Sequence, residues 1–167
     1  VLKLINETRR NYTIDSDRVF LSGLSNGAIG AYLIGMFYPD RFAGIVPIAG
    51  GITERYMHFL VNLNNTPIYL IHGNKDPVFP VAYQRRVHKI LSDLKYSVTY
   101  REHQKTGMAH GGHFLPETEI APLVKWLLSQ RRRLDPKVIR ITREGNHMKA
   151  IQWARITKGV NLASLQI

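Results

Sequence analysis

Ser25 stands in the pentapeptide Gly23-Leu24-Ser25-Asn26-Gly27, between an apolar stretch, Val19 to Leu21, and a run with helical spacing. A chain that turns sharply from strand into helix leaves room for only small residues beside the turn. Gly23 and Gly27 are therefore expected where a Cβ would collide with the neighbouring strand or helix. The turn residue itself is held strained, its side chain raised above the sheet edge. The helix beneath it offers unpaired N–H groups and a positive dipole end. A serine at that point presents a nucleophile beside an anion site, which is what acyl transfer requires. The backbone N–H of Asn26, next after the serine, is the expected oxyanion donor.

An alcohol is a poor nucleophile at neutral pH, so Ser25 needs a base, and the base needs a carboxylate to fix its tautomer. Asp76 follows the apolar "IYLIH" in the turn Gly73-Asn74-Lys75-Asp76-Pro77. His110 and His113 both lie in "QKTGMAHGGHFLP", the loop after "SVTYREH". Each item has a plain reading: Asp76 as a turn or capping residue, the glycine-rich loop as a connector. The order Ser, Asp, His, each beyond a successive strand, favours a triad, with the base open between His110 and His113. His72 and His103 end strands and read as structural; His58, His88 and His147 read as surface residues. No histidine pair has helix-face ligand spacing with a nearby acid, so neither a metal nor a cofactor is expected.

These groups must be positioned by alternating elements. Helices are expected at 2–12, at 25–38 ended by Pro39, at 55–63, at 81–94 and at 116–130. Val87, Ile90, Leu91 and Leu94 share one face of the fourth; Ile120, Val124, Leu127 and Leu128 are expected inward on the fifth. Strands are expected at Val19 to Leu21, in "AGIVPIAGG", in "TPIYLIHGNKD" and in "SVTYREH". Their apolar runs are continuous rather than alternating, which predicts an α/β fold: a parallel sheet with helices on both faces. Near residue 132 the texture changes. Residues 1–132 read as the α/β unit and 133–167 as a small β-rich appendage, with extended segments around a Gly145-Asn146 turn and a third strand in "VNLASLQI". Met148, Ile151 and Trp153 are expected to pack the appendage on the body.

The 167 residues are 44% hydrophobic, enough for an ordinary core. With no cysteine, disulfides and thiolate metal sites are excluded. No run approaches the roughly 20 apolar residues of a membrane span. The formal net charge is +11, densest at Arg131-Arg132-Arg133. No nucleic-acid motif accompanies it, so nucleic acid is not an expected partner; the excess reads as a solvated basic face, or as a surface that meets another part of a larger protein.

Three stretches, "DRVFLSGLSNGAIGA", "PIYLIHGNKDPVFP" and "GGHFLPETEIAPLVKWL", occur in the order of an α/β-hydrolase. The chain resembles the C-terminal part of such a catalytic domain, in the esterase, phospholipase/carboxylesterase and dienelactone-hydrolase-like group. The resemblance implies Ser25 as nucleophile, Asp76 as acid and a loop histidine as base. Gly112-His113, separated from Pro116 by two residues, is similar to the Gly-His-x-x-Pro of these esterases and makes His113 the base; His110, in "GMAHGG", resembles the Gly-Met-x-His of acyl-protein thioesterases and is the alternative. It implies a small-molecule carboxylic ester as substrate and an acyl-enzyme intermediate. A prolyl-oligopeptidase-type peptidase and an inactive hydrolase-fold binding protein share the fold and stand as alternatives. In this fold the second oxyanion donor comes from a loop after an earlier strand. The resemblance therefore implies a missing N-terminal segment of the same protein, an incomplete oxyanion hole in this chain alone, and an exposed apolar edge at Val19 to Leu21. A β-rich piece after the last helix is similar to what some bacterial secreted esterases carry, which implies a secreted or periplasmic place.

Overall fold

A computed structural model describes residues 1–105, 111–144, 150–155 and 162–166. The elements are α1 (Leu2–Asn11), β1 (Phe20–Leu24), α2 (Asn26–Phe37), β2 (Gly44–Ile48), α3 (Glu54–Met57), β3 (Ile68–Gly73), α4 (Val81–Asp93), β4 (Val98–His103) and α5 (Ile120–Ser129). A 3-10 segment, His58–Asn65, follows α3. The four strands form one parallel sheet in the order β1-β2-β3-β4. Every residue of β2 and β3 is buried, as the continuous apolar runs require of central strands. Strand β1 reaches Leu24, beyond the expected Leu21, because Leu24 still pairs with Ile48.

Helices cover both faces. On one, Tyr32 and Met36 of α2, Phe59, Leu60 and Leu63, and Val87 and Leu91 of α4 pack on Ile45, Ile68 and Leu70. On the other, Leu123, Trp126 and Leu127 of α5 pack on Val46, Ile48, Tyr69 and Ile71. Here the expected face of α5 is corrected. Leu127 is inward, but Ile120, Val124 and Leu128 are exposed. The helix carries two apolar stripes, and Trp126 decides between them: its ring lies 5.3 Å from Tyr69 and 6.2 Å from Phe20 and sits over Gly44, where a Cβ would come within 2.7 Å of it. Among the described residues no helix is long and apolar enough to cross a membrane.

The C-terminal residues form small antiparallel pairs: β5 (Arg140–Glu144) with β8 (Leu162–Gln166), and β6 (Ala150–Ile151) with β7 (Ala154–Arg155). Gly145, Asn146, His147 and Met148 lie outside the described residues. Ile139, Ile141, Ile151 and Ala154 make a separate apolar cluster. Trp153 does not serve as the expected anchor; it is half exposed, its Nε1–H donating to the Pro136 carbonyl. Asparagines hold the segment instead. Asn62 bonds both backbone groups of Thr142, and Asn64 and Asn65 both donate to the Val138 carbonyl. Of the three arginines, Arg131 and Arg133 are exposed, as expected of a solvated face, and Arg132 is partly buried; all three have polar partners. Arg131 pairs with Asp15, Arg132 pairs with Asp17 and donates to the Asp40 carbonyl, and Arg133 donates to Asn65. Arg131 and Arg132 tie the end of α5 to the loop before β1, where Asp15 and Asp17 lie beside it.

Candidate active site

Ser25 occupies the junction of β1 and α2 with φ 58° and ψ −121°, a region a non-glycine residue enters only where its surroundings force it. Two contacts do so. Its N–H donates to the Ile48 carbonyl at 3.0 Å, tying the turn to β2, and its carbonyl accepts from Ala28 at 2.9 Å, opening the helix. A Cβ on Gly23 would fall 2.0 Å from the Gly27 carbonyl oxygen, so glycine at 23 is a steric necessity. Gly27 is different from its expected role: a Cβ there meets nothing within 4 Å, because it is the Gly27 backbone, not its Cβ position, that faces Gly23. The equivalent constraint comes from Gly50, beyond β2, where a Cβ would sit 2.6 Å from the Ser25 carbonyl and from Ala28. As the first residue of α2, Asn26 has an N–H with no intrahelical acceptor, free to meet an anion.

Asp76 follows β3 and is 8% exposed. Its Oδ1 accepts the N–H of Val78 at 2.8 Å and of Phe79 at 2.9 Å, skipping Pro77, which has none. That leaves Oδ2 for His113, whose Nδ1 lies 2.8 Å away. Burial pushes the carboxyl up, but the Phe79 amide, His113 and the Val78 amide outweigh it and hold Asp76 below the ordinary carboxylate range. It is therefore charged at neutral pH and accepts the His113 Nδ1–H, so that the tautomer of an uncharged imidazole here is the one with its lone pair on Nε2. The loop that presents His113 passes so close to the end of β3 that a Cβ on Gly73 would lie 2.3 Å from the Gly112 carbonyl oxygen. Gly111 and Gly112 make that approach with φ 57° and 115°, which glycine adopts at little cost. The Phe79 ring stacks on the His113 imidazole, centroids 6.0 Å apart and 16° from parallel.

Ser25, Asp76 and His113 thus lie beyond the C-terminal ends of β1, β3 and β4, on one rim of the sheet. Asp76 and His113 are in contact; no hydrogen bond joins Ser25 to His113 among the described residues. In unliganded enzymes that bond is often long and tightens when substrate arrives. His110 lies outside the described residues. The sequence reading missed Gly50, Gly73 and Phe79. An Asp-Pro pair followed by two amides is a recognisable Asx-type turn and could have pointed to Phe79.

A family model described as phospholipase/carboxylesterase matches residues 1–128. The chain belongs to that family. Among similar proteins, a thermostable esterase of known structure is 31% identical with a TM-score of 0.68, over 78% of this chain and 36% of the esterase. Acyl-protein thioesterase 1 of Eremothecium gossypii is 26% identical over 99 residues, 58% of this chain and 42% of that protein. Poly(3-hydroxyalkanoate) depolymerase C of Paucimonas lemoignei is 41% identical over 51 residues, 30% of this chain and 12% of that protein. The chain spans less than half the length of each. The α/β-hydrolase fold expected from the sequence is the fold of this family member, with a small antiparallel sheet at its C-terminal end.

Proposed function

We propose that the protein is a serine hydrolase that cleaves carboxylic esters through Ser25, His113 and Asp76. The observation that carries the reading is the Asp76–His113 pair, which orients an imidazole at the same sheet rim as a serine held at positive φ. His113 Nε2 takes the Ser25 proton as Oγ attacks the carbonyl carbon. Asp76 stabilises the imidazolium, and the same proton passes to the departing alcohol. Water, deprotonated by His113, then releases the acid from the acyl-enzyme. The Asn26 amide is one donor to the oxyanion. A second would come from a segment of the same protein paired on the open edge of β1, where Leu24 is 46% exposed.

An apolar cavity of about 350 Å³ supports a substrate with an apolar group of modest size. It is lined by Ile29, one turn beyond Ser25, by Phe79 over His113, and by Ile52, Tyr56, Val78 and Tyr83. The longest protein containing this chain should hydrolyse p-nitrophenyl acetate and butyrate, and Ser25→Ala should abolish turnover. Hydrolysis by that variant near the wild-type rate refutes the assignment.

A further inference from the structure

His72 is the residue of β3 that the proposed mechanism leaves unused. It is fully buried, an expensive place for an imidazole without a task. Its Nε2 lies 2.8 Å from the Phe79 carbonyl oxygen and 3.5 Å from Asp76 Oδ2, while Nδ1 has no partner among the described residues. A carbonyl only accepts, so the proton sits on Nε2 and Nδ1 is a bare lone pair. Burial is the main force holding the imidazole below its ordinary range, which agrees with that neutral tautomer.

Phe79 is engaged three times over. Its carbonyl accepts from His72, its N–H donates to Asp76 Oδ1, and its ring stacks on His113. Whatever fixes Phe79 therefore fixes both the acid and the base. The near end of the 76–79 turn is tied to β3 by the Asp76 N–H, which donates to the Gly73 carbonyl at 3.2 Å; the contact from His72 ties its far end, at Phe79, to the same strand.

We propose that His72 is a positioning residue of this site: by anchoring the Phe79 carbonyl to β3 it sets the angle at which Asp76 meets His113 and seats the aromatic ring on the base. The inference rests on the serine-hydrolase reading for its kinetic consequence, but not for its geometric one.

The test uses two isopolar variants of the longest protein containing this chain. His72→Gln places an amide N–H where Nε2 stands; His72→Asn places it where the unpartnered Nδ1 stands, out of reach of Phe79. Two readouts are taken: steady-state ester hydrolysis, and the far-downfield proton resonance of the His113 Nδ1–H held by Asp76, which needs no turnover. In H72N kcat should fall about 10- to 100-fold with KM within twofold, and the resonance should shift or broaden by exchange. H72Q should restore both to near wild type. A folded H72N with resonance and kcat unchanged overturns the proposal, as does an H72Q no better than H72N. If H72N does not fold, Phe79→Leu decides, since it keeps both main-chain bonds and removes only the ring: kcat should fall severalfold with the resonance present, and an unchanged kcat overturns the role given to the stack. A wild type that shows the resonance but hydrolyses no ester contradicts the catalytic reading alone, and the resonance in H72N and H72Q then judges the anchor.

Discussion

Replacing Asp76 by asparagine should cost about four orders of magnitude in kcat with little change in fold. Asparagine is isosteric, so the question is which way its amide lies. With Oδ1 kept toward the turn, it still accepts the Val78 and Phe79 N–H groups, now 2.8 and 2.9 Å from that oxygen. The NH₂ then faces His113 Nδ1 in place of Oδ2, donor against donor unless the imidazole moves its proton to Nε2. The reverse orientation would set the NH₂ against two buried N–H donors, an arrangement that costs about 1–3 kcal/mol for each donor left unmet. The first orientation prevails, and it traps the tautomer that cannot accept the Ser25 proton. The corresponding loss in a serine protease triad is about 10⁴-fold, or roughly 5.4 kcal/mol of barrier. The assay is p-nitrophenyl butyrate hydrolysis by Asp76→Asn and wild type at pH 7.5, with circular dichroism to confirm an unchanged fold. A folded variant within tenfold of wild type would refute the tautomer argument.

Gly73→Ala should drive the His113 loop off the end of β3. The new Cβ falls 2.3 Å from the Gly112 oxygen, so backbone must move by about 1 Å, and activity should drop about 100-fold with roughly 1–3 kcal/mol of destabilisation, read by kinetics and denaturant melts. Asn62→Ala removes bonds to Met36 and to both backbone groups of Thr142; a loss of about 2 kcal/mol, and earlier proteolysis after residue 133, should be seen by melting and limited digestion. His72 contributes a pH slope. Burial, helped by His103 and His113 and opposed by the Phe79 carbonyl and Asp76, keeps it neutral in the folded state, while the unfolded chain takes its proton below about pH 6.5. Its contribution is therefore complete above that pH and is lost as pH falls toward the depressed folded value, by no more than about 1.4 kcal/mol per pH unit. Melting temperatures from pH 7.5 to 5 should fall less steeply in His72→Gln than in wild type.

Much of the site was legible because its parts are local. The strand-to-helix turn around Ser25, the Asp76 turn and the loop carrying His113 each announce themselves within about a dozen residues, and a parallel sheet covered on both faces follows from alternating strands and helices. What escaped the sequence depends on groups brought together from afar. Gly50 reads as a strand-end glycine until β2 is seen passing beneath Ser25. His72 reads as a residue ending a strand until the Phe79 carbonyl folds back onto it. The face of α5 was misread because two apolar stripes compete along it, and the choice is made by Trp126 finding Tyr69 and Phe20. The ion pairs of Arg131 and Arg132 were hidden because Asp15 and Asp17 lie more than a hundred positions earlier.

The central claim is that Ser25 is a nucleophile activated by His113. Covalent capture tests it most directly: the longest protein containing this chain is treated with a fluorophosphonate probe and the modified peptide is located by mass spectrometry. The account predicts a single adduct on Ser25, absent in Ser25→Ala and formed at least 100-fold more slowly in His113→Ala. An adduct on another residue, or labelling of Ser25 at an equal rate without His113, would contradict it.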